Sequence, residues 1–284
     1  MAEQLVDLGD VTLCVESFGD EAATTLLLIS GACESMDGWD TSWCEELAAG
    51  GRRVVRYDHR DTGRSTASPP GRPTYTTQDL AGDPLRILDA LGVPQAHLVG
   101  LSMGGGISQE LAARHPGRVA SVTLIATSPA GARADRSALP GPEPRIARTF
   151  EDPDPEPDWG DRDAVMTYLV EAYRPYAGSL GFDEDATRRM LEVVLDRTTD
   201  LQAANTNHWL LDGGPSEFAM ADIGAPALVL HGTDDPMFPF PHGEALAREI
   251  PDARLEPMVG MGHERPPAAL RGRATELILR HTSG

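Results

Sequence analysis

Only three cysteines occur in the 284 residues, Cys14, Cys33 and Cys44. Their number is odd, and their spacing is neither that of a metal knot nor C-x-x-C. A disulfide framework and a zinc site are therefore not expected, and a reducing compartment is. No 18 apolar residues run together, so no membrane-crossing segment is expected. The start, Met-Ala-Glu-Gln-Leu-Val-Asp, lacks the basic and apolar regions of a secretory signal, which makes the expected location cytoplasmic. Lysine is absent altogether; the 24 basic residues are all arginine, a mark of coding bias without functional weight. Against 44 acidic residues they leave a formal net charge of -20, which argues against nucleic acid or an anionic membrane as partner and favours solubility and the attraction of cationic ligands. No internal repeat is visible.

What is present alternates. Residues 11–18 read as an antiparallel edge strand and 25–30, a continuous apolar run, as a strand buried on both faces. A helix over 38–49 carries Trp39, Trp43 and Leu47 on one face. A strand over 53–58 leads into the polar loop His59-Arg-Asp-Thr-Gly-Arg-Ser65, expected to be a hydrogen-bonded network beside the site rather than catalytic. Then follow a helix over 77–91, a strand over 96–101, a helix to about residue 115 and a strand over 118–127. Strands alternating with helices at this spacing imply a mostly parallel, doubly wound α/β sheet, one domain with an insertion.

The pattern breaks at Ser128-Pro129 and resumes near residue 222. Residues 1–128 and 222–284 are expected to form the core, and 129–221 a helical cap, with helices near 161–175, 184–198 and 200–211. The cap concentrates Met166, Tyr168, Tyr173, Tyr176, Phe182, Met190, Trp209, Phe218 and Met220. Some are expected to pack it and the rest to line a site for a bulky, flat, apolar substrate. Residues 151–163 hold seven acids and one arginine, read as a solvated loop, with attraction of an amine-bearing substrate as the sharper alternative. After the cap come a strand over 226–232, a helix over 242–249, a strand over 253–259 and a final helix over 267–281.

The chemistry centres on residues 96–108, where Gly100-Leu-Ser-Met-Gly104 is G-x-S-x-G, a strand-to-helix turn that strains and exposes the serine. A serine hydroxyl is a weak nucleophile until a base takes its proton, and the base needs an acid to fix its tautomer. Ser102 is followed by Asp234 and Asp235 after the next-to-last strand, and by His263 between glycine-rich turns after the last. Asp235, ahead of Pro236, is favoured as the acid and Asp234 as a turn residue. The Met103 amide at the start of a helix and the Ala32 amide at the C-terminal end of the strand over 25–30 are the expected oxyanion donors. Cys33 beside them is read as a small buried filler rather than a reactive thiol.

The series Ser30-Gly-Ala32, Arg56-Tyr-Asp-His-Arg-Asp-Thr-Gly-Arg-Ser65, Gly100-Leu-Ser-Met-Gly104, Asp235-Pro-Met-Phe-Pro-Phe-Pro-His-Gly243 and Gly260-Met-Gly-His263 resembles the α/β-hydrolase family. Within that family it is most similar to the aclacinomycin methylesterase type, which acts on anthracycline polyketides. The resemblance spans both core segments and is weakest in the cap. It implies an α/β-hydrolase fold of about eight strands with an inserted cap, and a Ser102–His263–Asp235 triad with backbone donors at Ala32 and Met103. It further implies cleavage of a small apolar ester; no cofactor or metal is expected, and a monomer or weak homodimer is the default expectation. Where the family commonly has histidine-glycine before the second donor, this chain has Ser30-Gly31. Lactonases, carbon–carbon hydrolases and cofactor-free perhydrolases share such a triad. A non-hydrolytic cyclase or ligand-binding scaffold is the alternative from another class.

Overall fold

Side chains alternate across a strand, and in β3 (Thr25–Ile29) this divides one leucine-rich run between two cores: Leu27 and Ile29 point to one face of the sheet, Leu26 and Leu28 to the other. All four are fully buried, each contributing roughly 1.5–3 kcal/mol of apolar burial. The same double burial marks β4 (Arg53–Tyr57), β5 (Ala96–Leu101) and β7 (Ala227–Gly232), and all but one residue of β6 (Val119–Ile125). The computed structural model describes residues 3–132, 139–211 and 217–283.

With β1 (Gln4–Asp7), β2 (Thr12–Phe18) and β8 (Ala253–Met258), these strands form an eight-stranded sheet of order β1-β2-β4-β3-β5-β6-β7-β8. The first two join antiparallel and the remainder run parallel. The sequence reading did not anticipate β1. Its four residues are mostly exposed at the sheet edge, so no buried alternation betrays it.

Two helices, α1 (Thr41–Ala49) and α9 (Ala268–His281), cover one face with Trp43, Leu47, Leu277 and Ile278. On the other lie α2 (Thr77–Ala90), α3 (Met103–Arg114) and α8 (Pro241–Glu249), which contribute Leu80, Ile87, Ile107, Leu111 and Leu246. Between β6 and β7 run α4 (Pro144–Glu151), α5 (Arg162–Tyr173), α6 (Glu184–Arg197) and α7 (Leu201–Thr206). The last three correspond to expected helices; α4 was not expected, because Pro144 opens it immediately after a proline- and glycine-rich stretch. Among the described residues, no helix is long and apolar enough to cross a membrane.

The inserted helices have a small core of their own. Val165, Leu169, Val170, Leu191 and Leu195 are buried together, with Met166, Tyr168, Tyr173, Phe182 and Met190 packed against them. Phe218 and Met220, grouped by sequence with the cap, instead join the core under β7 beside Ile223 and Val229. Arg197 at the end of α6 ties this layer to the sheet. Its guanidinium reaches Asp58 at 2.9 Å, Glu3 at 2.6 Å and the carboxylate of Asp37. Asp58 also accepts the Met36 and Arg64 amides at 2.9 and 3.0 Å, so the loop after β4 is the hydrogen-bonded network its sequence suggested.

Candidate active site

Ser102 sits between β5 and α3 with φ +50°, a left-handed conformation that costs an L-residue strain energy. The flanking glycines explain how the turn closes. A Cβ on Gly100 would lie 2.3 Å from the Gly104 carbonyl oxygen, and one on Gly104 would lie 2.2 Å from that of Ile29. Only hydrogen fits at either place, and the chain can therefore bend sharply enough to lift the serine above the C-terminal edge of the sheet.

The loop after β8 brings His263 to it, with Nε2 3.0 Å from the Ser102 hydroxyl oxygen. Nδ1 on the opposite side of the ring lies 3.0 and 3.2 Å from the two carboxylate oxygens of Asp235. The loop holding His263 is fixed from the side of the inserted helices: its amide donates to the Tyr176 carbonyl at 2.8 Å, and a Cβ on Gly262 would collide with that same oxygen. The rings of Tyr176 and Phe238 flank the imidazole at 5.8 and 5.3 Å.

Asp235 is buried and accepts the Met237 and Phe238 amides at 2.9 and 2.8 Å. Burial alone would raise its pKa. The hydrogen bond and charge of His263, the charge of His231 and the Phe238 amide outweigh burial and hold the carboxyl below its ordinary value. Asp234 is placed otherwise: it accepts the Ser179 amide at 3.2 Å and the Thr233 hydroxyl at 2.9 Å, as a turn residue does.

The turn after β3 lies against the serine; a Cβ on Gly31 would be 3.7 Å from the Ser102 Cβ. Neither the Ala32 nor the Met103 amide finds an acceptor among the described residues, whereas their neighbours do: Gly31 donates to Glu34 Oε2 at 3.1 Å and Cys33 to His208 Nδ1 at 2.8 Å. Arg265 neutralises Glu34 in a two-pronged pair at 2.8 and 3.0 Å. Burial pushes the Cys33 thiol well above its ordinary pKa, which disfavours the thiolate. A strained serine, an imidazole in reach of its hydroxyl, a buried carboxylate behind the imidazole and two adjacent unclaimed amides can together carry out nucleophilic attack on a carbonyl.

The α/β-hydrolase fold family model matches residues 24–265. The chain belongs to the α/β-hydrolase family. A rhodomycin D methylesterase of Streptomyces sp. (strain C5) is 34% identical over 94% of this chain and 93% of its own length. Another, of Streptomyces peucetius, is 32% identical over 94% of this chain and 93% of that protein. Among solved structures, the esterase RhEst1 of Rhodococcus sp. ECU1013 superposes with a TM-score of 0.78 at 22% identity, covering 100% of this chain and 99% of that one, a likeness of fold.

Two features of this hydrolase's site escaped the sequence reading. His208 and Glu34 both bond to the turn after β3, yet no motif marks Asn207-His-Trp-Leu210 or Cys33-Glu34 as anything but cap and loop. Of the aromatic and methionine side chains expected to divide between packing and lining, Met166, Tyr168, Tyr173, Phe182 and Met190 pack against the core of the inserted helices. Beside Phe238 a cavity of about 260 Å³ opens among Ser128, Pro129, Leu139, Pro140, Met237 and His242.

Proposed function

We propose that this carboxylic ester hydrolase cleaves the methyl ester of a polycyclic aromatic polyketide of the anthracycline kind, releasing methanol by way of an acyl-enzyme on Ser102. The observation that carries the reading is the chain of contacts from Ser102 through His263 to Asp235, in a protein 34% and 32% identical to two rhodomycin D methylesterases over nearly its whole length. In this reading residues 1–128 and 222–284 are the catalytic core, and 129–221 form the cap above it.

His263 Nε2 takes the Ser102 proton as the oxygen attacks the ester carbonyl, and Asp235 holds Nδ1–H and stabilises the imidazolium that results. The developing oxyanion accepts from the Ala32 and Met103 amides, each such donor supplying roughly 2.7–4 kcal/mol of transition-state stabilisation. His263 then protonates the departing methanol and activates the water that frees the acid. Phe238 and Tyr176, whose rings lie 5.3 and 5.8 Å from that of His263, are the apolar groups beside which a flat acyl group would lie.

The test is methanol release, followed by mass spectrometry, from an anthracycline-type methyl ester with the wild-type protein and with Ser102→Ala. Methanol that depends on Ser102 is expected. Ser102-dependent cleavage of a short aryl ester without methanol from the polyketide would overturn the substrate, and turn attention to lactones, carbon–carbon bonds or peracids. Methanol release unaffected by Ser102→Ala would overturn the mechanism.

A further inference from the structure

We propose that His208, carried on the 3-10 turn Asn207–Leu210 of the cap, is a positioning residue that sets the oxyanion-binding turn after β3 by accepting the Cys33 amide. The inference rests on the reading of Ser102 and Ala32 given above.

The turn bends at Cys33, a non-glycine residue at φ +64°. Such a conformation costs of order 1–3 kcal/mol and persists only where surrounding contacts enforce it. The enforcing contacts converge on both sides of Ala32. The Ser30 carbonyl accepts from His59 Nε2 at 3.1 Å, and the Gly31 amide is held by Glu34. On the far side the Cys33 amide donates to His208 Nδ1 at 2.8 Å, and the Cys33 thiol donates to the Asn205 carbonyl at 3.5 Å. Both bonds to Cys33 come from the cap, and a third cap group, the Tyr173 hydroxyl, reaches Glu34 at 3.4 Å. Beyond Ala32 the turn thus has two sets of anchors: local bonds back to the end of β3, from the Glu34 amide to the Gly31 carbonyl at 3.4 Å and from the Ser30 hydroxyl to the Ser35 carbonyl at 3.2 Å, and the bonds at Cys33, which go to residues remote in sequence.

The state of the His208 ring follows from its partners. A backbone amide only donates and a carbonyl only accepts, so Nδ1 must be bare to receive Cys33 while Nε2 carries the proton donated to the Arg60 carbonyl at 2.9 Å. The ring is thus a neutral spacer between two loops, the turn after β3 and the loop after β4. Its surroundings keep it so. His59 and Tyr75 pack edge-on at 5.8 and 6.5 Å, and the Arg60 guanidinium is turned away onto Asp83 and Asp10. The Asp61 carboxylate is taken by Tyr75 at 2.6 Å and by Asn207 at 2.9 Å. Burial holds both imidazoles below their ordinary pKa, and among the described residues the Cys33 amide is the hydrogen-bond partner of Nδ1.

Without His208 the Cys33 amide is orphaned and the strained turn is free to relax, which moves the Ala32 amide off the place where the oxyanion forms. The ground-state ester makes little use of that donor, so the loss falls on kcat and not on KM.

The experiment uses the full chain with a short aryl ester as substrate. It compares wild type, His208→Leu and His208→Gln, because glutamine can accept through its amide oxygen and donate through its nitrogen while leucine does neither. His208→Leu is expected to lower kcat about 10- to 100-fold with KM nearly unchanged, the scale of an ångström-size misplacement of a catalytic group. His208→Gln is expected to recover most of that loss. Unchanged kcat in His208→Leu, equal losses in the two variants, or a loss carried by KM would overturn the proposal. Should His208→Leu fail to fold, the ring nitrogens of the wild-type protein decide the matter by long-range proton–nitrogen NMR. A neutral Nε2–H ring supports the proposal, and an Nδ1–H or charged ring overturns it. Aryl-ester turnover that survives Ser102→Ala would instead overturn the underlying reading of the site, so the two failures are distinguishable.

Discussion

At position 235 two forces oppose each other, and the outcome decides which aspartate can serve His263. Burial disfavours the carboxylate; His263, His231 and the Phe238 amide favour it and prevail. An ionised acid behind Nδ1 keeps the imidazole proton on that side and leaves Nε2 free to receive the serine's. In Asp235→Asn an amide replaces the carboxylate and favours the opposite tautomer. The expected loss in kcat is about 10⁴-fold, the scale seen when such an acid is amidated. Asp234→Asn alters only a turn that bonds Ser179 and Thr233, and kcat should stay near wild type. Equal losses in steady-state turnover of the two variants would show that the acid had been misassigned. Asp235, favoured in the sequence because it precedes a proline, is the aspartate that lies against His263, while the contact of His208 with Cys33 joins residues 175 positions apart and leaves no local trace.

At the scale of elements, the serine's exposure depends on how closely α3 approaches β3 and β5. Gly104 makes that approach possible, since a methyl group there would overlap the Ile29 carbonyl. Gly104→Ala is therefore expected to destabilise the fold by more than about 2 kcal/mol, read from urea unfolding, because backbone on both sides must shift. A variant as stable as wild type would mean that the elbow tolerates a looser helix. The parallel strands and their helices were readable because buried strands are nearly continuous apolar runs and helices show their 3.6-residue period. The elements that escaped lack such signals: β1 is short and exposed, and α4 follows a stretch rich in turn residues. Met166, Tyr168, Tyr173, Phe182 and Met190 pack inside the inserted layer, the fate expected of some of that segment's aromatic and methionine side chains. A layer of three or four helices must first bury a core of its own, and only side chains left over from that task can face a ligand.

For the whole molecule, histidine burial sets the response to acid. His59, His97, His208, His231 and His281 are all held below their ordinary pKa by burial, His59 to about 3 and His97 to about 4. In the unfolded chain they titrate near ~6.5, so below that pH the unfolded state binds more protons. Their contribution is complete above about pH 6.5 and is lost as pH falls toward the folded values. Asp58, Asp83 and Glu264 act in the opposite direction, since burial raises their pKa values, and they are fewer. The urea midpoint should therefore drop between pH 7.5 and 4.5, and a flat or rising midpoint would contradict this balance.

Whether Ser102 is the nucleophile is decided by labelling with a fluorophosphonate and locating the adduct by peptide mass spectrometry while residual ester turnover is followed. One adduct per chain on the peptide bearing Ser102 is expected, with turnover lost in proportion to it and no labelling of Ser102→Ala. Complete inactivation with the adduct on another residue, or undiminished turnover in fully labelled protein, would contradict it.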